Sequence, residues 1–114
     1  NKNLKNVKGV KLIDQPKNSV NPYYRYILYL DEKIHRDALV KLFKEQYHIH
    51  LSQVYIPCHL HPLYKTNFGY RENDFPITEK SLARALTLPI YPEMTLRQAG
   101  FVVSALKKEL SKML

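Results

Sequence analysis

Glycine is scarce. The three in this 114-residue chain, Gly9, Gly69 and Gly100, lie too far apart to form a Gly-rich loop whose amides could cradle a phosphate. One cysteine, Cys58, excludes an intrachain disulfide and points to a reducing cytoplasm. No apolar run approaches the roughly 18 residues of a membrane span, and the Asn- and Lys-rich start lacks a signal peptide's apolar core. Acidic residues are the minority, ten against eighteen Lys and Arg, which leaves a net charge of +8. Half of that excess lies in residues 1–20, where five lysines face Asp14 alone. A basic chain invites a nucleic-acid reading, but charge gathered on an arm says little about a folded site. The start at Asn1 instead of Met suggests a processed chain or a piece of a longer one.

This length is enough for one domain that buries roughly two-thirds of its unfolded surface. Residues 1–21 read as a basic polar tether with one short strand around Val10–Ile13, and residues 22–114 as the domain. Tyr23–Leu30 is apolar or aromatic on both alternating sets, as in a strand covered on both faces, with Arg25 at an edge or in solvent. His35–Tyr47 has helical period without a strong cap, Ile49–Ile56 reads as a second strand, and Pro62–Phe68 as one helical turn. Thr78 is the expected N-cap of a short helix. Leu86–Ile90 is extended, and Pro89 and Pro92 confine it to a sheet edge or a strand end. Thr95 and Gln98 predict a reciprocal cap for the last helix, whose core stripe runs Ala99, Val102, Val103, Leu106, Leu110, Met113. The fold class is therefore α+β, a small three- to four-stranded mixed or antiparallel sheet with helices on one face.

Chemistry concentrates in Val54–Tyr64. Pro57 and Pro62 bracket a turn carrying His59, His61 and Tyr64, since each proline fixes φ and removes a backbone donor. Two His-x-His pairs, His48 with His50 and His59 with His61, have a spacing that could aim two imidazoles at one zinc, but a strand separates the pairs. Cys58 beside His59 suggests a thiolate, yet neighbours on an extended segment point apart, and a lone cysteine is more often a small apolar residue. Nine tyrosines among basic residues could stack bases, but Tyr23, Tyr24, Tyr26 and Tyr29 fall in the strand that most needs burial. A small basic nucleic-acid module is the alternative reading.

Several features then follow in order from Tyr23 to Leu110. They are the aromatic strand, Arg36-Asp37 opening a helix, the run Tyr55-Ile-Pro-Cys-His59-Leu-His61-Pro62, Asp74-Phe-Pro76 with Glu79, Leu86-Thr-Leu-Pro89-Ile-Tyr-Pro92, and Thr95. The succession resembles the C-terminal small domain of the sugar aminotransferases that use pyridoxal phosphate, the DegT/DnrJ/EryC1/StrS family. Within it, the chain is most similar to the branch that aminates a UDP-linked 4-keto-6-deoxy-N-acetylhexosamine on the way to pseudaminic acid. Where the family often has Gly-Ile after the first helix, this chain has His48-Ile49, a non-glycine at an expected left-handed C-cap.

The resemblance implies a cytoplasmic, homodimeric parent enzyme of surface polysaccharide or glycan biosynthesis. Its large domain, in the same chain, would hold the cofactor through a lysine, with glutamate as amino donor and a UDP-sugar as acceptor. The 114 residues would then bind no cofactor and transfer no amino group alone. The resemblance also implies that the Tyr55–His61 loop faces the active-site cleft, with Tyr55, His59 and His61 toward the substrate and no catalytic residue in this chain.

Overall fold

Thr95 accepts the Gln98 amide on its hydroxyl at 3.2 Å, while the Gln98 side chain takes the Thr95 amide at 2.8 Å. This reciprocal cap starts Leu96–Met113 (α4), the longest element of the computed structural model, which describes residues 1–114. Val102, Ala105, Leu106 and Leu110 form the buried stripe that α4 lays on the core.

Beneath it are four strands: Val10–Leu12 (β1), Tyr26–Leu30 (β2), Ser52–Gln53 (β3) and Ala85–Leu88 (β4). They form one antiparallel sheet in the order β1-β2-β4-β3. The register sets Leu28 opposite Leu86 and Leu30 opposite Val10, and alternation then places Val10, Leu28, Leu30, Leu86 and Leu88 on one face. Leu39 and Phe43 meet that face from Arg36–Leu42 (α1) and the π-helical turn Phe43–Tyr47 that continues it. So α1 and α4 cover the same side of the sheet. Each fully buried leucine contributes about 1.5–3 kcal/mol.

Two further helices, Pro62–Phe68 (α2) and Pro76–Arg84 (α3), lie between β3 and β4 in sequence. Two guanidinium groups tie α3 down. Arg84 Nε donates to the Leu30 carbonyl at 2.8 Å, and Arg36 Nη1 donates to the Leu82 carbonyl at 2.7 Å.

The expected elements differ from this structure in four places. Residues 1–21 supply the short strand, but Leu4 is also 2 % exposed inside the core, so the basic arm is packed against the domain. Gly9, at φ +81°, permits this path, because a Cβ there would lie 2.7 Å from Ile34 Cδ1. β2 begins at Tyr26 and not Tyr23, because Asn21 Oδ1 accepts the Tyr23 amide at 2.8 Å and turns Tyr23 to φ +48°. The strand expected over Ile49–Ile56 pairs only at Ser52–Gln53. α3 starts at Pro76 behind an uncapped Phe75 instead of at Thr78, since proline is already set for the first helical position. Of the two alternatives for Leu86–Ile90, a sheet edge or a strand end, the structure has the second: β4 is interior to the sheet, between β2 and β3, and Pro89 lies just past its end.

Glu109 is buried on α4. The Tyr47 hydroxyl donates to it, and Lys112 Nζ reaches its two oxygens at 2.8 and 2.9 Å. The Lys112 ammonium, with the Tyr47 hydrogen bond second, holds this carboxyl below its usual range, against the opposing effect of burial.

Candidate functional site

The Val54–Tyr64 segment leaves β3 and returns as α2. Pro57, at φ −51°, stops extension, and the Leu60 amide reaches back to the Pro57 carbonyl at 2.9 Å to close a 3-10 turn over Cys58–Leu60. His61 is extended again, and its carbonyl accepts the Tyr64 and Lys65 amides, both at 3.0 Å, as α2 begins at Pro62. The prolines therefore set the direction of the chain on both sides of the histidines.

Inside this turn the three expected site residues separate. Tyr55 is 60 % exposed, and His61 is exposed as well. His59 points the other way: at 7 % exposure, its ring centroid lies 4.7 Å from that of Phe75 and meets Tyr70 edge-on at 6.4 Å. Its Nε2 donates to Glu79 Oε1 at 2.9 Å. His59, expected toward the substrate, is turned inward in this structure, where an imidazole enclosed by two rings and bonded to a carboxylate satisfies its polar atom internally.

Glu79 in turn organises the loop before α3. It accepts the Asn73 amide on both oxygens, at 2.9 and 3.1 Å, and the Phe75 amide at 3.3 Å. The Asn73 hydrogen bond is the largest influence holding the Glu79 carboxyl below its usual range; burial opposes it, and His59 adds to it. One carboxylate thus joins the 3-10 turn to the start of α3. The Glu79 signal was present in the sequence beside Asp74-Phe-Pro76, but its partner lies 20 residues away.

Sequence reasoning missed Arg25 as a site residue. Its guanidinium carbon lies 4.8 Å from the Tyr55 ring centroid and 5.6 Å from that of Tyr24, both within cation–π range. The residue stands beside a cleft of about 340 Å3 that also touches Leu12, Ile13, Tyr23 and Tyr24. This places Tyr55 within a cationic and aromatic surface, whereas His61 lies past the turn.

Exposed apolar side chains follow the loop. Ile56, Leu63, Tyr64, Phe68 and Ile77 are all exposed, and the Tyr64, Phe68 and Tyr70 rings stack in series at 6.0 and 5.8 Å.

His48 and His50 are exposed on the far side of β3 in sequence, and no group of three or more His, Cys, Asp or Glu is placed to hold a metal. Cys58 is exposed. No helix is long and apolar enough to cross a membrane.

Comparison with known proteins agrees with this fold. Residues 1–107 match the DegT/DnrJ/EryC1/StrS aminotransferase family. The spore coat polysaccharide biosynthesis protein SpsC of Bacillus subtilis (strain 168) is 36 % identical over 88 residues, which are 75 % of this chain and 23 % of that protein. The aminotransferase TlmJ from Streptoalloteichus hindustanus superposes with a TM-score of 0.81 at 21 % identity, over 97 % of this chain and 29 % of that one. DesI, crystallised in the presence of its TDP-sugar product, gives 0.76 at 27 % identity, over 94 % of this chain and 27 % of that one. The chain thus spans about a quarter of the length of these relatives. With its four-stranded antiparallel sheet, its helices and this match over nearly its whole length, the chain belongs to the DegT/DnrJ/EryC1/StrS aminotransferase family.

Proposed function

We propose that this chain is the small domain of a nucleotide-sugar aminotransferase and forms one wall of a cleft whose reactive groups lie on the large domain of the same polypeptide. The parent works as a cytoplasmic homodimer in surface glycan biosynthesis. It moves the amino group of glutamate to the C4 ketone of a UDP-linked 4-keto-6-deoxy-N-acetylhexosamine, the pseudaminic acid branch.

The observation that carries this reading is the way the Tyr55–His61 loop is built. A buried His59–Glu79 pair fixes its backbone, while Tyr55 and His61 are left exposed with their chain neighbours Ile56, Leu63 and Tyr64. A self-sufficient site would turn these groups toward one another; here they face outward. We assign substrate contact to Tyr55 and His61 and a positioning role to His59.

The family depends on pyridoxal phosphate, which supplies the electron sink for amino transfer. The residues of this chain do not fit that group. Gly9 is packed under Ile34, Gly69 ends α2 and Gly100 lies inside α4, so no cluster of free amides is offered to a phosphate. What the chain does is bind, orient and exclude water at the edge of the reaction. The alternative of a nucleic-acid module loses ground because the basic arm is packed into the core through Leu4 and β1.

The test is kinetic, on the full-length parent with glutamate and the keto sugar nucleotide. Tyr55→Ala lowers kcat/KM by about tenfold or more, the scale of one lost polar contact, and leaves the fold intact because the side chain is exposed. Unchanged kinetics in both Tyr55→Ala and His61→Ala would remove the loop from the site.

A further inference from the structure

We infer that Arg25, flanked by Tyr24 and Tyr55, is the anion-binding residue of a nucleotide diphosphate subsite. The three arginines of the sheet region differ in one respect. Arg36 and Arg84 direct their N–H groups to backbone carbonyls and to the carboxylates of Asp37 and Glu32. Arg25 does not. Its Nε is buried without a hydrogen-bond partner, and none of the chain's five ion pairs includes it.

A half-buried guanidinium has lost part of its hydration and ordinarily recovers it from a carboxylate. None of the eleven residues around the adjoining cleft is Asp or Glu. The positive charge and its fork of donors therefore have no anionic partner within the cleft, and a fork of this kind matches phosphate or carboxylate oxygens bidentately.

The aromatic partners narrow the ligand. Tyr24 and Tyr55 are 82 % and 60 % exposed, which leaves surface outside their contact with Arg25 for a flat base, and such stacking is irrespective of base identity. Another residue of the cleft is fixed in place: Tyr23 is held by Asn21 Oδ1 on its amide and by Asn1 Nδ2 on its hydroxyl, both at 2.8 Å, and stacks on Tyr26 at 5.7 Å. A cleft of about 340 Å3 falls within the range of small-ligand sites, roughly 300–1,000 Å3. An amino-acid carboxylate would use the guanidinium and leave both rings idle, whereas a nucleoside diphosphate uses all three. The choice of a uridine nucleotide rests on the aminotransferase reading above; the arrangement of cation and rings does not.

The experiment titrates UDP, inorganic pyrophosphate and glutamate separately into the 114-residue chain, followed by amide chemical shifts. UDP saturates on the unaltered chain, Arg25→Gln weakens it by about tenfold or more, and Arg25→Lys, which keeps the charge without the fork, falls between. Tyr24→Ala weakens UDP and leaves pyrophosphate unchanged. Absence of saturation by about 10 mM UDP overturns the inference, as does equal affinity in Arg25→Gln or Arg25→Lys. Tighter Arg25-dependent binding of glutamate than of UDP overturns the nucleotide assignment. Failure of the small-domain reading would show elsewhere, as a parent without a cofactor-binding domain, and would leave Arg25-dependent binding of a nucleoside diphosphate to this chain intact.

Discussion

His48→Gly should stabilise the protein. The residue ends the π-helical turn after α1 at φ 53°, ψ 31°, a left-handed conformation that crowds any Cβ. Its side chain is exposed, and the backbone does the capping: the His48 and Ile49 amides both end on the Phe43 carbonyl, the latter at 3.1 Å. Holding an L-residue there costs about 1–2 kcal/mol, and glycine returns about 0.4–1 kcal/mol of this through the greater freedom of its unfolded chain. The net gain is about 0.5–1 kcal/mol, or roughly 2–6 °C in Tm for a chain of this size. Urea and thermal unfolding of His48→Gly, His48→Ala and His50→Gly measure it. Alanine keeps the strain and should gain nothing, and glycine at position 50, which lacks a positive φ, should lose stability. Loss of stability in His48→Gly together with an equal loss in His48→Ala would refute the reasoning, because it would mean that the imidazole itself holds the turn.

Four further outcomes follow from the packing and the charges. Leu4→Ala should cost about 2–5 kcal/mol by chemical denaturation, like any leucine buried in a core, whereas a free arm would change stability by less than about 0.5 kcal/mol. Thr95→Ala should cost about 1 kcal/mol through loss of the α4 cap. Glu79 and Glu109 both have pKa values held below the ordinary 4.5, so their contribution is complete above that value and is lost as pH falls through the folded-state values. Stability measured from pH 6 downward should therefore fall in acid, and Glu79→Gln or Glu109→Gln should flatten that fall; an unchanged slope in both variants would refute it. Pyridoxal phosphate titrated into this chain should produce no saturable change in its absorbance.

Local signals were legible where they act within one turn of chain. The Thr95–Gln98 cap and the stripe through Val102, Leu106 and Leu110 needed no other part of the molecule, and α4 stands as they predict. The left-handed His48 was expected only from the resemblance, which places glycine there, and the structure has it at φ 53°. Long-range partners were not legible. Thr78 looked like a cap because Ile77 precedes it and Glu79 follows it at the positive helix end, but that carboxylate instead holds the loop before α3, and its amide donors, Asn73 and Phe75, become neighbours only once Asn73 turns to φ +72°. For β4 the two prolines left a sheet edge and a strand end both open, and only the pairing with β2 and β3 decides for the latter, Pro89 falling one residue beyond the paired segment. At the site, the Pro57–Pro62 bracket announced a turn but not which histidine would face inward. That depends on Phe75 and Glu79, 16 and 20 residues further along, closing over His59. Arg25 appeared as an oddity in an aromatic strand, and only folding brings Tyr55 against it.

The most direct measurement is the coding sequence immediately upstream of the codon for Asn1. An in-frame large domain carrying a lysine able to hold pyridoxal phosphate is the predicted result. A stop codon there would contradict the account.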